Sequence, residues 1–76
     1  MKELVEYIAK AITTNPDDVV VEQESDEEGR IVITLKVHPD DKGRVIGKQG
    51  RIAQAMRSLL RVAAVKEGVH ITLDIE

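Results

Sequence analysis

From Lys2 to Thr14 the apolar residues Leu4, Val5, Ile8, Ala11 and Ile12 recur at helical spacing, with Glu3, Glu6 and Lys10 opposite them. That stripe predicts an amphipathic surface helix. Asn15-Pro16-Asp17-Asp18 interrupts it, because the residue before a proline is pushed out of the α region and the acids favour a turn. Val19 to Gln23 is rich in β-branched residues and reads as a strand that fades into the acidic turn Ser25-Asp26-Glu27-Glu28-Gly29. Ile31, Ile33, Leu35 and Val37 alternate with polar or outward positions, predicting a second strand that pairs with the first as an antiparallel hairpin.

Pro39-Asp40-Asp41 ends that strand and offers a carboxylate N-cap to a short helix over Lys42 to Ile46. After Gly47-Lys48-Gln49-Gly50, a long helix of good helix formers is expected from about Arg51 to Lys66, closed by Gly68. Val69, Ile71, Leu73 and Ile75 then alternate with His70, Thr72, Asp74 and Glu76 as a third half-buried strand. The order is α-β-β-α-α-β. A crossover of two helices makes the second and third strands parallel and the connection right-handed. Each strand has one apolar face, so the expected architecture is α+β: a three-stranded mixed sheet with helices packed on one face.

Composition tightens this picture. Seventy-six residues allow a single domain over 1–76, and Val, Ile and Leu number 23 against one aromatic, Tyr7, so the core must be aliphatic. There is no cysteine for a disulfide or a thiolate metal site, which suits a reducing compartment. No apolar run reaches the roughly 18 residues that span a bilayer, and the acids in MKELVEYIAK differ from a secretory apolar region. A cytoplasmic, membrane-free location is expected.

The net charge of −3 conceals a partition. Residues 1–40 hold 10 acids and 4 bases, whereas residues 41–68 hold 2 acids and 7 bases. Within that basic block, Gly43-Arg44-Val45-Ile46-Gly47-Lys48-Gln49-Gly50-Arg51 contains three of the five glycines and three of the eleven bases. Two glycines around Lys48 and Gln49, set between helices, let the backbone approach another molecule without Cβ obstruction. The helix that starts there presents unsatisfied N–H groups and its positive dipole end, a site suited to phosphate. Lys48 adds a cation at the tip, and Arg44 and Arg51 flank the turn. A bare structural turn would need the glycines but not the cations. The spacing is one residue short of a P-loop, and it does not fit the dinucleotide fingerprint.

Val45-Ile46-Gly47-Lys48-Gln49-Gly50 resembles the I-G-x-x-G signature of the KH domain, and the element order matches the type II version of that fold. Over essentially its whole length, including His38-Pro39-Asp40-Asp41-Lys42-Gly43-Arg44 ahead of the signature, the sequence is similar to the small single-domain bacterial RNA-binding proteins of the KhpA family. The resemblance implies a non-catalytic module whose GxxG loop, here Gly47, Lys48, Gln49 and Gly50, clamps about four nucleotides of single-stranded RNA. It also implies auxiliary contacts from Arg44 and Arg51, and a shallow groove lined by Val45 and Ile46, for which core packing is an equal alternative. With no aromatic after Tyr7, base stacking is not available, so binding should be modest and salt-sensitive.

On the long helix, Ile52, Ala53, Met56, Leu60, Ala63 and Ala64 form a core sector of about 120°. Ala55, Leu59 and Val62 widen the apolar arc to roughly 200°, more than one sheet covers. Either the first helix covers that flank or a partner does. The resemblance implies a homodimer, or pairing with a larger KH-domain protein, through Ala55, Leu59 and Val62. The alternative function is a protein-interaction subunit with only incidental RNA contact. Arg57 and Arg61 read as solvated side chains in preference to an extended RNA path.

Nothing points to catalysis, a cofactor, a metal or a small-molecule substrate. His38 and His70 lack zinc-site spacing, and the acids at 22, 24, 26, 27 and 28 lack that of a calcium loop. Ser25 and Ser58 have no nucleophile motif. A redox partner of the BolA type shares the topology, but the missing cysteine and the intact GxxG argue against it.

Overall fold

The computed structural model describes residues 1–76 as α1 (Lys2–Ile12), β1 (Val20–Ser25), β2 (Arg30–Lys36), α2 (Lys42–Ile46), α3 (Arg51–Glu67) and β3 (His70–Ile75). Single 3-10 turns over Pro16–Asp18, Pro39–Asp41 and Lys48–Gly50 punctuate the chain, each at a Pro or Gly that the pattern had marked as a break. The element order is the expected one, with two shifts. α1 stops at Ile12 because Thr13 turns to extended backbone (φ −92°, ψ 153°). β1 runs on to Ser25, since its ladder with β2 continues to the Ser25–Ile31 pair despite the acidic sequence.

β2 is the central strand, antiparallel to β1 and parallel to β3. The register aligns Val21 with Leu35 and Ile33 with Leu73, so their side chains share the inner face. Val19, Val21, Ile33, Leu35 and Leu73 meet Val5 and Ala9 of α1, Val45 of α2, and Met56 and Leu60 of α3 in one aliphatic core. Each fully buried Val, Leu, Ile or Met contributes about 1.5–3 kcal/mol. The opposite sheet face, with Val20, Glu22, Val32, Lys36, Thr72 and Asp74, is open to solvent, so all three helices lie on one side.

The seam of α1 is narrower than its sequence stripe. Val5 and Ala9 are buried and Ile8 and Ile12 pack at the margin, whereas Leu4 and Ala11 face outward. α3 closes as expected: Gly68 takes the left-handed conformation (φ 68°), donating to Val65, while Val69 donates to Ala64.

Candidate nucleic-acid interface

At five residues, α2 is too short to be stable by itself. Tertiary anchors fix it. Val45 is completely buried in the core and therefore serves packing, while its neighbour Ile46 remains 39% exposed beside the turn that follows.

That turn is a hinge of unusual backbone. Gly47 (φ 79°, ψ 171°), Gln49 (φ 57°, ψ 25°) and Gly50 (φ 73°, ψ 15°) all have positive φ. The two glycines are needed for different reasons. Gly47 lies in a region only glycine occupies readily, and a Cβ there would stand 2.7 Å from Ile52 Cγ1 and 2.9 Å from the Ile52 backbone nitrogen. At Gly50 the space is open, and only the left-handed φ is demanding. Gln49 tolerates its positive φ in a turn where its side-chain oxygen accepts a bond from Arg51 (3.2 Å).

The hinge makes few internal bonds of its own. The Gly50 amide donates to Gly47 O (3.1 Å) and the Arg51 amide donates to Lys48 O, but no side chain caps the first turn of α3. The following amides of the first turn of α3 are left without a side-chain partner at the positive end of the helix dipole. Lys48, Gln49 and Arg51 are exposed around them. Of the cations in residues 41–68, only Arg44 forms an ion pair, at 3.7 Å from Asp41. In the acidic half the reverse holds: Lys10, Arg30 and Lys36 are each paired with carboxylates.

Asp41 corrects an expectation. It precedes α2, yet its carboxylate caps nothing in that helix. It is fully buried and accepts from the Thr14 amide (3.0 Å) and hydroxyl (2.7 Å) and from the Asn15 amide (2.9 Å) and side-chain Nδ2 (3.1 Å). The Thr14 backbone amide first, then the Thr14 hydroxyl and both Asn15 donors, hold its carboxyl far below the usual range. Sequence reading missed this because the donors lie 26 and 27 residues away, and only the Asx-like chemistry of Thr14-Asn15 hinted at it.

Arg57 corrects a second expectation. It is half-buried and donates to the Leu73 carbonyl (3.1 Å), forming with Leu60, Arg61 and Ile71 to Leu73 a cleft of about 200 Å³. Arg61 remains exposed. The flank of α3 is bare: Ala55 is exposed, Leu59 is 49% and Val62 61% exposed, and Val65, which sequence reading did not single out, is 76% exposed. α1 packs on β1, β2 and α2 and leaves that flank uncovered.

Comparison with known proteins shows the family. A family model described as KhpA/KhpB, KH domain matches residues 2–75. The chain is 51% identical over 75 residues to the RNA-binding protein KhpA of Clostridium perfringens, covering 99% of each chain. It is 53% identical over 75 residues to that of Halalkalibacterium halodurans, covering 99% of this chain and 97% of the relative. Among solved structures it is similar in fold to Aquifex aeolicus Era bound to GDP and aluminium fluoride, with a TM-score of 0.58 at 20% identity, over 97% of this chain and 28% of that one. A second Era structure, in complex with MgGDPNP and nucleotides 1506–1542 of 16S ribosomal RNA, aligns with a TM-score of 0.51 at 23% identity, again over 97% and 28%.

Proposed function

The chain belongs to the KhpA/KhpB KH-domain family, and from that premise we propose that it is a non-catalytic, cytoplasmic protein that binds single-stranded RNA. The Gly47–Gly50 hinge holds the RNA backbone. The observation that carries this reading is the coincidence of an uncapped helix start with two exposed cations, Lys48 and Arg51, that no carboxylate pairs, at a hinge of positive φ. Phosphates accept from the hinge and from the start of α3, Lys48 supplies mobile positive charge, and Arg44 and Arg51 flank the strand. Ile46 offers an aliphatic surface to the bases, with Val45 fixing the helix beneath it.

Replacing Lys48 and Gln49 together by Asp places two anions on the phosphate path. The fold should survive, since both side chains are exposed, and binding of a random-sequence single-stranded oligoribonucleotide pool should fall at least 100-fold by fluorescence anisotropy. Undiminished binding would sink the reading. Wild-type affinity should also fall with salt at a logarithmic slope of about −0.7 per phosphate neutralised.

The bare flank of α3 favours an additional role in association. Ala55, Leu59 and Val62, extended by Val65, would meet a second copy of the chain or a larger KH-domain protein. Leu59→Asp should halve the mass seen by light scattering while leaving the monomer folded. If the mass is unchanged, the flank is not the interface. A chain that still self-associates yet ignores RNA would favour the protein-interaction reading instead.

A further inference from the structure

We propose that Asp41 is the positioning residue of the hinge: by tying the start of α2 to Thr14-Asn15 behind α1, its buried carboxylate sets the direction in which the Gly47–Gly50 amides face. The proposal deepens the RNA-binding reading and rests on it for its affinity arm.

The geometry supports this in three ways. First, a carboxylate has about four lone-pair positions, and Asp41 fills them with four donors from two adjacent residues of the loop after α1. Charge-assisted bonds of this kind fix orientation as well as distance. Second, the side chain sits at the N-cap position but makes no cap bond to α2, so its hydrogen bonds run to the loop after α1 and leave the helix's own first amides uncapped. Third, Val45 holds the far end of α2 in the core and the helix packs on α3, whereas Asp41 is the buried polar anchor at its start. A five-residue helix is a rigid lever of little more than one turn. Loss of that anchor lets the start of the helix shift about Val45, which displaces Arg44, whose guanidinium leans on the same carboxylate, and changes the angle at which the chain enters Gly47.

The direct test is Asp41→Asn, which keeps the shape but sets an amide donor or a weaker acceptor against the Thr14 and Asn15 N–H groups. In the RNA-free protein, NMR should show the Thr14 and Asn15 amides losing their hydrogen-bonded shifts and the Lys48, Gln49 and Gly50 amides shifting or broadening. Affinity for the oligoribonucleotide pool should drop about tenfold at a temperature where the variant is fully folded. Val21→Ala, a core lesion in β1, serves as the matched control: it should lower the melting temperature without moving the hinge signals. If Asp41→Asn merely melts earlier, with hinge amides and affinity as in wild type, the proposal is overturned.

Should that variant not fold, Thr14→Val and Asn15→Ala each remove one side-chain donor and are expected to give smaller hinge shifts. Silence at the hinge in both overturns the proposal equally. If wild-type protein binds no RNA, the functional reading fails, while the RNA-free spectra still decide whether Asp41 positions the hinge.

Discussion

The hairpin turn Ser25–Gly29 and the hinge Gly47–Gly50 are both short, polar, glycine-containing turns, yet they dispose of their polar groups in opposite ways. In the hairpin, Asp26 accepts from the amides of Glu28 (2.9 Å) and Arg30 (2.9 Å) and from Arg30 Nε (2.8 Å), and Arg30 also pairs with Glu28. Its backbone bonds close between Asp26 and Arg30. In the hinge, no carboxylate answers Lys48 or Arg51, and the first turn of α3 has no side-chain cap. A turn that satisfies itself needs nothing further, whereas a turn that leaves donors and cations open can accept an anion. Glycine alone therefore does not mark function. What distinguishes the two turns is where the neighbouring charges go.

The largest expected effect lies at Gly47. An alanine Cβ would collide with Ile52 at 2.7–2.9 Å, and the residue would be held at φ 79°, ψ 171°. Backbone strain and overpacking together should cost roughly 3 kcal/mol or more, a large part of the stability of a domain this small. Urea denaturation measures it. A loss under about 1 kcal/mol would mean that α2 and α3 are not locked as closely as their contact implies.

The hinge was legible in the sequence because its signals are local: two glycines, a cluster of cations, and helical periodicity on both sides. The strands were legible for the same reason, since alternation is written within a few residues. The failures around the hinge are non-local. Asp41 reads as a cap because a carboxylate before a helix caps one, and nothing near it reveals the Thr14-Asn15 donors brought there by α1. Arg57 reads as solvated because the Leu73 carbonyl reaches it only once β3 is in place. Val45 and Ile46 are equivalent as letters, and tertiary packing alone buries one and exposes the other.

An intermediate effect is expected at Asp26. The Arg30 amide first, then its guanidinium and the Glu28 amide, hold its carboxyl below the usual value. The unfolded chain therefore binds the proton more readily, and the stabilisation from Asp26 is present above the ordinary carboxylate range and lost as the pH falls through its lowered folded value. Asp26→Ala should lower the melting temperature by a few degrees at neutral pH, with the difference from wild type vanishing in strong acid. RNA affinity should change less than twofold. A large loss of RNA binding would erase the contrast between the two turns.

The smallest effect on stability, and the sharpest test of the contrast, comes from one substitution made in both turns. Gly29 (φ 81°) and Gly50 (φ 73°) share a left-handed backbone, and an added Cβ meets nothing closer than Val69 at 4.0 Å in the first and nothing within 4 Å in the second. Asparagine tolerates this conformation better than other side chains, so Gly29→Asn and Gly50→Asn should each cost a few tenths of a kcal/mol up to about 1 kcal/mol. Their consequences for RNA should diverge. At Gly29 the side chain enters solvent near acids that RNA avoids, and titration should give wild-type affinity. At Gly50 it stands where, on the proposed reading, a phosphate approaches the start of α3, and affinity should fall several-fold although the fold is as stable as in the partner variant. Equal affinities in the two variants would mean that the open side of Gly50 is empty because nothing comes there.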